Sequence, residues 1–372
     1  MVISLQDAQA FLSEISNFSQ QRIASQCVKH EQPIDAVTLT HLSQEALNLG
    51  FLPQPSEQGF ALWDKVNSLG AMTFNIGFLQ TLAQDNASLA FAWHRYALAA
   101  QLLRNAKAQV SIDQPLSMSL LSTGRFGLGR NALSHYLTTS ESEAPSQNVQ
   151  ILLADWLDRS HPAVLIAPEQ WQSVVWPVWE NKAVRWQWIT REQLRVQTER
   201  RQHGFDELNA YQISSKEIIE QSLDLPLASK QQTINILKQD FIGLLAIATG
   251  SLKRAALQTQ EFTVLRQQGG MAIQKHPAVQ QMLSDIQGAV LQAETVLQSL
   301  CRPLNKINLK EVLQWRLLLQ PQFCHAASQA MQAHGGVGYM RDVGIEKVLR
   351  EQNMLRMLAG GLLEIPLFLD GQ

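Results

Sequence analysis

Apolar residues recur at spacings of three and four over much of the N-terminal third of the chain. ALWDKVNSLGAMTFNIGFLQTLAQ keeps that period, Asp85-Asn86 breaks it with capping chemistry, and ASLAFAWHRYALAAQLLRNA resumes it. Residues 1–108 are therefore expected to be helical. His94 falls among apolar positions of the second run, where a packed, hydrogen-bonded histidine is expected. The texture changes over 109–227. NVQILLADWL, PAVLIAP and AVRWQWIT are short, rich in β-branched and aromatic residues, and broken by Pro, Asn, Ser and Asp, which reads as strands. From about 228 the helical period returns in QQTINILKQDFIGLLAIATGSLKRAALQTQEFTVLRQQ, over 278–300 and 309–334, and in VGIEKVLREQNMLRML. The pattern predicts a mostly α chain with a central β domain: helices over 1–108, strands over 109–227, helices over 228–372.

Composition narrows the function classes. Of the 372 residues, 45% are hydrophobic and 17% charged, enough for a sizeable core and too apolar for disorder. The formal net charge of −2 gives no electrostatic case for nucleic acid. No run approaches a membrane span and no signal peptide is evident, so a cytoplasmic protein is expected. Cys27, Cys301 and Cys324 are odd in number and scattered, which suits a reducing compartment and excludes a disulfide framework or a four-cysteine zinc site. Six of the nine tryptophans (Trp156, Trp171, Trp176, Trp179, Trp186, Trp188) lie in the middle stretch, most expected in its core, with one able to face a planar ligand. Neither HExxH nor GxSxG occurs, and the glycines 124, 127 and 129 lack the Lys-Ser/Thr of a phosphate loop.

The stretch QAHGGVGYMRD (332–342) sets Gly335, Gly336 and Gly338 between two helix-patterned segments. Glycine there allows a tight turn or the close approach of a ligand or second chain. The stretch resembles the "Q-x-x-G-G-x-G-Y" corner of the acyl-CoA dehydrogenase family, and Glu346, Lys347, Arg350 and Glu351 match the helix motif that follows it there. Upstream, Arg266 to Ile273 resembles the family's "R-x-x-F-G-x-x-I", with Gln280 and Asp285 also in place. The resemblance covers about 140 C-terminal residues. It implies an N-terminal helical domain, a middle β-barrel or sandwich domain, a C-terminal four-helix bundle, bound FAD and a homodimer or homotetramer. Arg266 would pair with the FAD pyrophosphate, and Gln332, Gly335 and Gly336 would meet the adenosine end of a flavin held mainly by a neighbouring subunit.

The departures fall on the reacting end. The family's "T-E-P-x-x-G-S-D" flavin loop is matched here only by Thr123 and the glycine-rich residues after it. The aromatic that flanks the isoalloxazine in the family is best matched by Trp156, with core packing as the alternative. Most members carry the catalytic Glu 27 residues after the Gln, a register that holds Ala359 here. A minority place it 26 residues before the FAD-binding Arg, a register that holds Asp240. A carboxylate inside an apolar helix would have its pKa raised towards a base's range; the competing reading is a helix N-terminal Asp, because KQD begins the apolar run. Asp is one methylene shorter than Glu, and a misplacement of ~1 Å can cost ~100-fold in rate.

The resemblance thus implies an FAD-dependent oxidoreductase that introduces an α,β double bond into an acyl thioester of coenzyme A or acyl carrier protein. Electrons would leave to an electron-transfer flavoprotein or another acceptor. Two alternatives stand beside it: a flavin-dependent monooxygenase on the same scaffold, and a flavoprotein or assembly subunit impaired by the missing Glu.

Overall fold

The computed structural model describes residues 3–29, 32–54, 59–108, 116–121, 130–139, 144–199, 203–215, 223–224, 229–358 and 361–370. The chain opens with α1 (Leu5–Phe18), α2 (Ala36–Asn48), α3 (Leu69–Asp85) and α4 (Ala87–Asn105). Each begins on a side chain that accepts a first-turn amide hydrogen: Ser4, Asp35, Ser68 and Asn86. These caps satisfy donors that helix geometry leaves without partners. Asn86 also closes α3, so the break predicted at Asp85-Asn86 is a shared cap.

The middle comprises β1 (Met118–Leu120), α5 (Arg130–Thr138), α6 (Gln147–Trp156), β2 (Ala163–Ala167), β3 (Ser173–Glu180), β4 (Ala183–Thr190), β5 (Leu194–Glu199), β6 (Asn209–Ser215) and β7 (Leu223–Asp224). Among the described residues the strands make two sheets, ordered β1-β3-β4-β7 and β2-β6-β5. β3 and β4 form a hairpin with Ser173 opposite Thr190, and its turn residues Asn181 and Lys182 both have positive φ, as a two-residue hairpin requires. Leu165, Trp171, Val174, Trp176, Ile189, Tyr211 and Ile213 supply a core common to both sheets. PAVLIAP and AVRWQWIT are strands as expected, but NVQILLADW is a helix. Ser146 caps it by accepting from Val149. Val149 and Trp156 are half-buried and Leu153 and Leu157 buried, while Ile151 and Leu152 face out. That is a helical stripe, and the crowding of Val, Ile and Leu hid the period.

The C-terminal part holds α7 (Lys230–Leu265), the short hairpin β8 (Gln267–Gln268) and β9 (Met271–Ala272), α8 (Pro277–Leu300), α9 (Leu309–Ala333), α10 (Ile345–Met357) and α11 (Glu364–Asp370). α7 is the axis of the molecule. It packs against α3, α4, α8, α9 and α10, so Ile236 to Leu252 is buried all round. Two glycines permit the close crossings: a Cβ on Gly250 would strike the Gln80 carbonyl of α3, and one on Gly243 would strike the His94 imidazole of α4.

A buried polar knot ties the three parts together. Glu207, between β5 and β6, accepts from Ser88 Oγ and from Asn86 Nδ2 at 2.9 Å, and pairs with Lys347 Nζ of α10 at 2.5 Å. Burial pushes the Glu207 carboxyl up, but the Lys347 charge and these hydrogen bonds outweigh it and hold its pKa below the usual range. Beside it, Glu351 accepts from Ser251 Oγ of α7 at 2.7 Å, and Arg350 pairs with Asp206 and Glu346. The α10 residues that carry the family motif are thus the ones that fasten α10 to the β5–β6 loop and to α7.

Removing one partner of such a pair costs about 3–5 kcal/mol because the other charge is left buried. Lys347→Met should therefore lower unfolding stability by about that amount, and adding Glu207→Gln should recover part of the loss; additive losses in denaturant titrations would contradict the pairing. Because the Glu207 pKa is lowered by folding, its contribution is present above the unfolded carboxylate pKa and should fade as pH falls through the folded one.

Candidate functional site

Four of the residues singled out in the sequence meet at one place. α7 ends at Arg266, whose backbone turns extended, and the β8–β9 hairpin turns on Gly269 and Gly270, both with positive φ. Across from it α9 ends at Ala333 and runs into the turn Gly335–Tyr339. Between them lies a groove of about 950 Å³ whose lining includes Phe262, Arg266, Gln332, His334, Gly335 and Gly336. Arg266 is exposed, and among the described residues its guanidinium makes no hydrogen bond or ion pair. Gln332 donates its amide to Tyr339 Oη at 2.6 Å.

The glycines divide by role. A Cβ on Gly338 would collide with the Met331 carbonyl, so that glycine serves the turn. At Gly335 and Gly336 an added Cβ would meet nothing within 4 Å, and only Gly335, at φ 63°, needs glycine for its backbone. Nothing among the described residues requires the bare backbone of Gly336, which leaves its surface open to an approaching group. Two aromatic rings line the groove together: His334 stacks on Phe262 at 4.4 Å between ring centroids. His334 Nδ1 lies 2.8 Å from the Ala330 carbonyl, which can only accept, so Nδ1 carries the proton and Nε2 is left as an acceptor. Burial lowers the His334 pKa, keeping the ring neutral.

Asp240 lies apart from this groove. It sits eleven residues into α7, fully buried, so it is not a helix N-terminal residue; the cap is Ser229. Its Oδ1 is 2.9 Å from Arg95 Nη1 and 3.1 Å from His94 Nε2, both on α4. Trp63 Nε1 donates to His94 Nδ1 at 2.9 Å. An indole N–H can only donate, so the His94 proton sits on Nε2 and points at Asp240. Burial lowers the His94 pKa, opposed by Asp240, and leaves the ring neutral. A second guanidinium, Arg316 of α9, is also fully buried. It donates to the carbonyls of Leu355 and Leu358 at 3.0 and 2.8 Å, closing the end of α10. Burial pulls its pKa down to about 10 while the Asp240 charge acts to raise it.

The remaining expectations fall elsewhere. Trp156 is the last residue of α6, half-buried against the main core, rather than on a strand. Thr123 and Ala359 lie outside the described residues, although Leu358, beside the latter, is held by Arg316. Sequence reasoning missed Arg95 and Arg316, although each is a lone charge in an apolar helical run, FAWHRYALA and WRLLLQ. Among the described residues no group of three His, Cys, Asp or Glu side chains could hold a metal ion, and no helix is long and apolar enough to cross a membrane.

Comparison with known proteins agrees with this geometry. Residues 232–365 match the family model "Acyl-CoA dehydrogenase, C-terminal domain". A probable acyl-CoA dehydrogenase, YngJ of Bacillus subtilis (strain 168), is 25% identical over 166 residues, which is 42% of this chain and 44% of that relative. The chain thus aligns with less than half the length of that curated relative. The whole fold matches a glutaryl-CoA dehydrogenase from Mycobacterium smegmatis solved in complex with FADH2, with TM-score 0.71, 11% identity, and coverage of 98% of this chain and 94% of that one. It also matches the prolyl acyl carrier protein oxidase AnaB, with TM-score 0.70, 14% identity, and coverage of 98% and 97%. Residues 232–365 thus match the C-terminal domain of the acyl-CoA dehydrogenase family, and over nearly its whole length the chain has the acyl-CoA dehydrogenase fold.

Proposed function

We propose that the chain is an FAD-dependent oxidoreductase that converts an acyl thioester to its α,β-enoyl form. The observation that carries this reading is the groove where an uncommitted guanidinium, Arg266, faces the bare backbone of Gly335 and Gly336. There Arg266 would pair with the FAD pyrophosphate through its planar fork. The Phe262–His334 plate and the glycine backbone would take the adenosine end, presented by a second copy of the chain. FAD, when bound, supplies the acceptor for the β-hydride.

The chain's own task is to hold the thioester and take up its α-proton. We assign that proton to Asp240. Arg95 and His94 hold and enclose the carboxylate, so in this reading the substrate reaches it by displacing the α4 side of the pair. The thioester carrier is proposed as coenzyme A or an acyl carrier protein, the latter supported by the likeness to AnaB, and the electron acceptor as an electron-transfer flavoprotein.

Two experiments test the reading. Arg266→Ala should weaken FAD binding by about 1.5–3 kcal/mol, the scale of a hydrogen bond to a charged group, and the FAD-loaded wild type should be a dimer or larger by light scattering. Equal affinity in calorimetry, or a flavin-loaded monomer, would remove the groove's assigned role.

Asp240→Asn should slow flavin reduction by an acyl thioester ~100-fold or more, the scale of a lost general base, while Asp240→Glu keeps the rate. It should also lower stability by about 3–5 kcal/mol, since Arg95 and Arg316 lose their counter-charge. Stopped-flow reduction measured well below each variant's unfolding midpoint separates the two effects, and a wild-type rate in Asp240→Asn would leave Asp240 as an ion-pair residue alone.

A further inference from the structure

A second pocket, of about 340 Å³, opens between the end of α5, the first turns of α7 and the start of α9. Its lining combines Thr138, Gln231, Lys238, Asn305, Lys306 and Asn308 with a few aliphatic side chains, and among the described residues contains two cations and no carboxylate. Lys238 is the unusual member. It is only 5% exposed, and among the described residues its ammonium, with three donors to satisfy, makes one long hydrogen bond, 3.5 Å to the Leu304 carbonyl. Burial lowers its pKa, and no carboxylate among the described residues offsets it. Taking an ammonium out of water costs several kcal/mol unless a counter-charge repays it, and one bond at the limit of hydrogen-bond length does not.

Two further features of the pocket favour the same sign of guest. α9 is 25 residues long, and its N-terminus opens at Leu309 with Asn308 as the cap. The first-turn amides and the helix dipole place partial positive charge there. Lys306, exposed at the rim, adds a second ammonium. The bland alternative is that Lys238 merely latches the 304–306 turn. A neutral side chain such as Gln would do that without a desolvated charge.

We propose that this pocket binds an oxyanion of the phosphate class, with Lys238 as its buried counter-charge and Lys306 and the α9 amides completing the site. The bound anion would give Lys238 the partner that its surroundings withhold. This site stands on its own residues and does not depend on the flavin reading.

The test is thermal unfolding of the full chain with increasing inorganic phosphate, against sodium chloride at matched ionic strength. Wild type should gain a saturable rise of a few degrees, as linkage requires of a ligand bound to the folded state alone. Lys238→Met, which removes the charge while keeping a long apolar side chain, should fold and lose that rise; Lys306→Gln should shift the titration several-fold to higher phosphate. No rise beyond the chloride control, or an equal rise in Lys238→Met, would overturn the proposal. Repeating the titration with pantetheine 4′-phosphate identifies the source. Tighter, Lys238-dependent binding than inorganic phosphate marks a phosphate carried on a thioester carrier, and weaker binding marks the free ion.

Discussion

The burial of Asp240 inside α7 is the constraint on which the arrangement of the helices depends. A carboxylate fully removed from water is tolerable only if opposite charge comes to it. Here that charge comes from Arg95 of α4, at 2.9 Å, and from the longer-range field of Arg316 of α9. The demand fixes the register of α4 against α7, where Gly243 makes room for His94. It also reaches α10 through Arg316, whose remaining donors close that helix at Leu355 and Leu358. One charge thus sets the spacing of four helices.

The Glu207–Lys347 knot performs the same service at the other end of α10. It couples the β5–β6 loop to the cap shared by α3 and α4, and so holds the sheets against the bundle. Between the two networks α10 has little freedom, and the glycine turn that leads into it is fixed at its far end. The groove of Arg266 and Gly336 can therefore be open and lightly packed, because the helices that carry it are held elsewhere.

Much of this was legible in the sequence. The helical periods placed α7, α8 and α9 within a few residues of where they lie, because each sustains its apolar spacing over many turns. The glycine corner was legible because backbone need and open space select the same residue type. α6 was not, since its Val, Ile and Leu residues suit either period. The position of Asp240 was half legible. Its apolar surroundings announced burial, but its partner Arg95 stands 145 residues away in the chain, and no local pattern pairs such residues. The Glu207–Lys347 bond, 140 residues apart, was invisible for the same reason. Lys238 was hidden by company: beside Gln239 and Asp240 it marks the polar start of an apolar run, and only the fold buries all three.

The central claim is that the groove at Arg266 is half of a flavin site serving an acyl thioester reaction. The most direct measurement is the visible absorption spectrum of the purified protein after equilibration with FAD, recorded anaerobically before and after adding acyl thioesters. The account predicts stoichiometric protein-bound flavin whose oxidised band bleaches when a matching thioester is added. A protein that takes up no FAD would contradict the site, and bound flavin left oxidised by every acyl thioester would contradict the reaction.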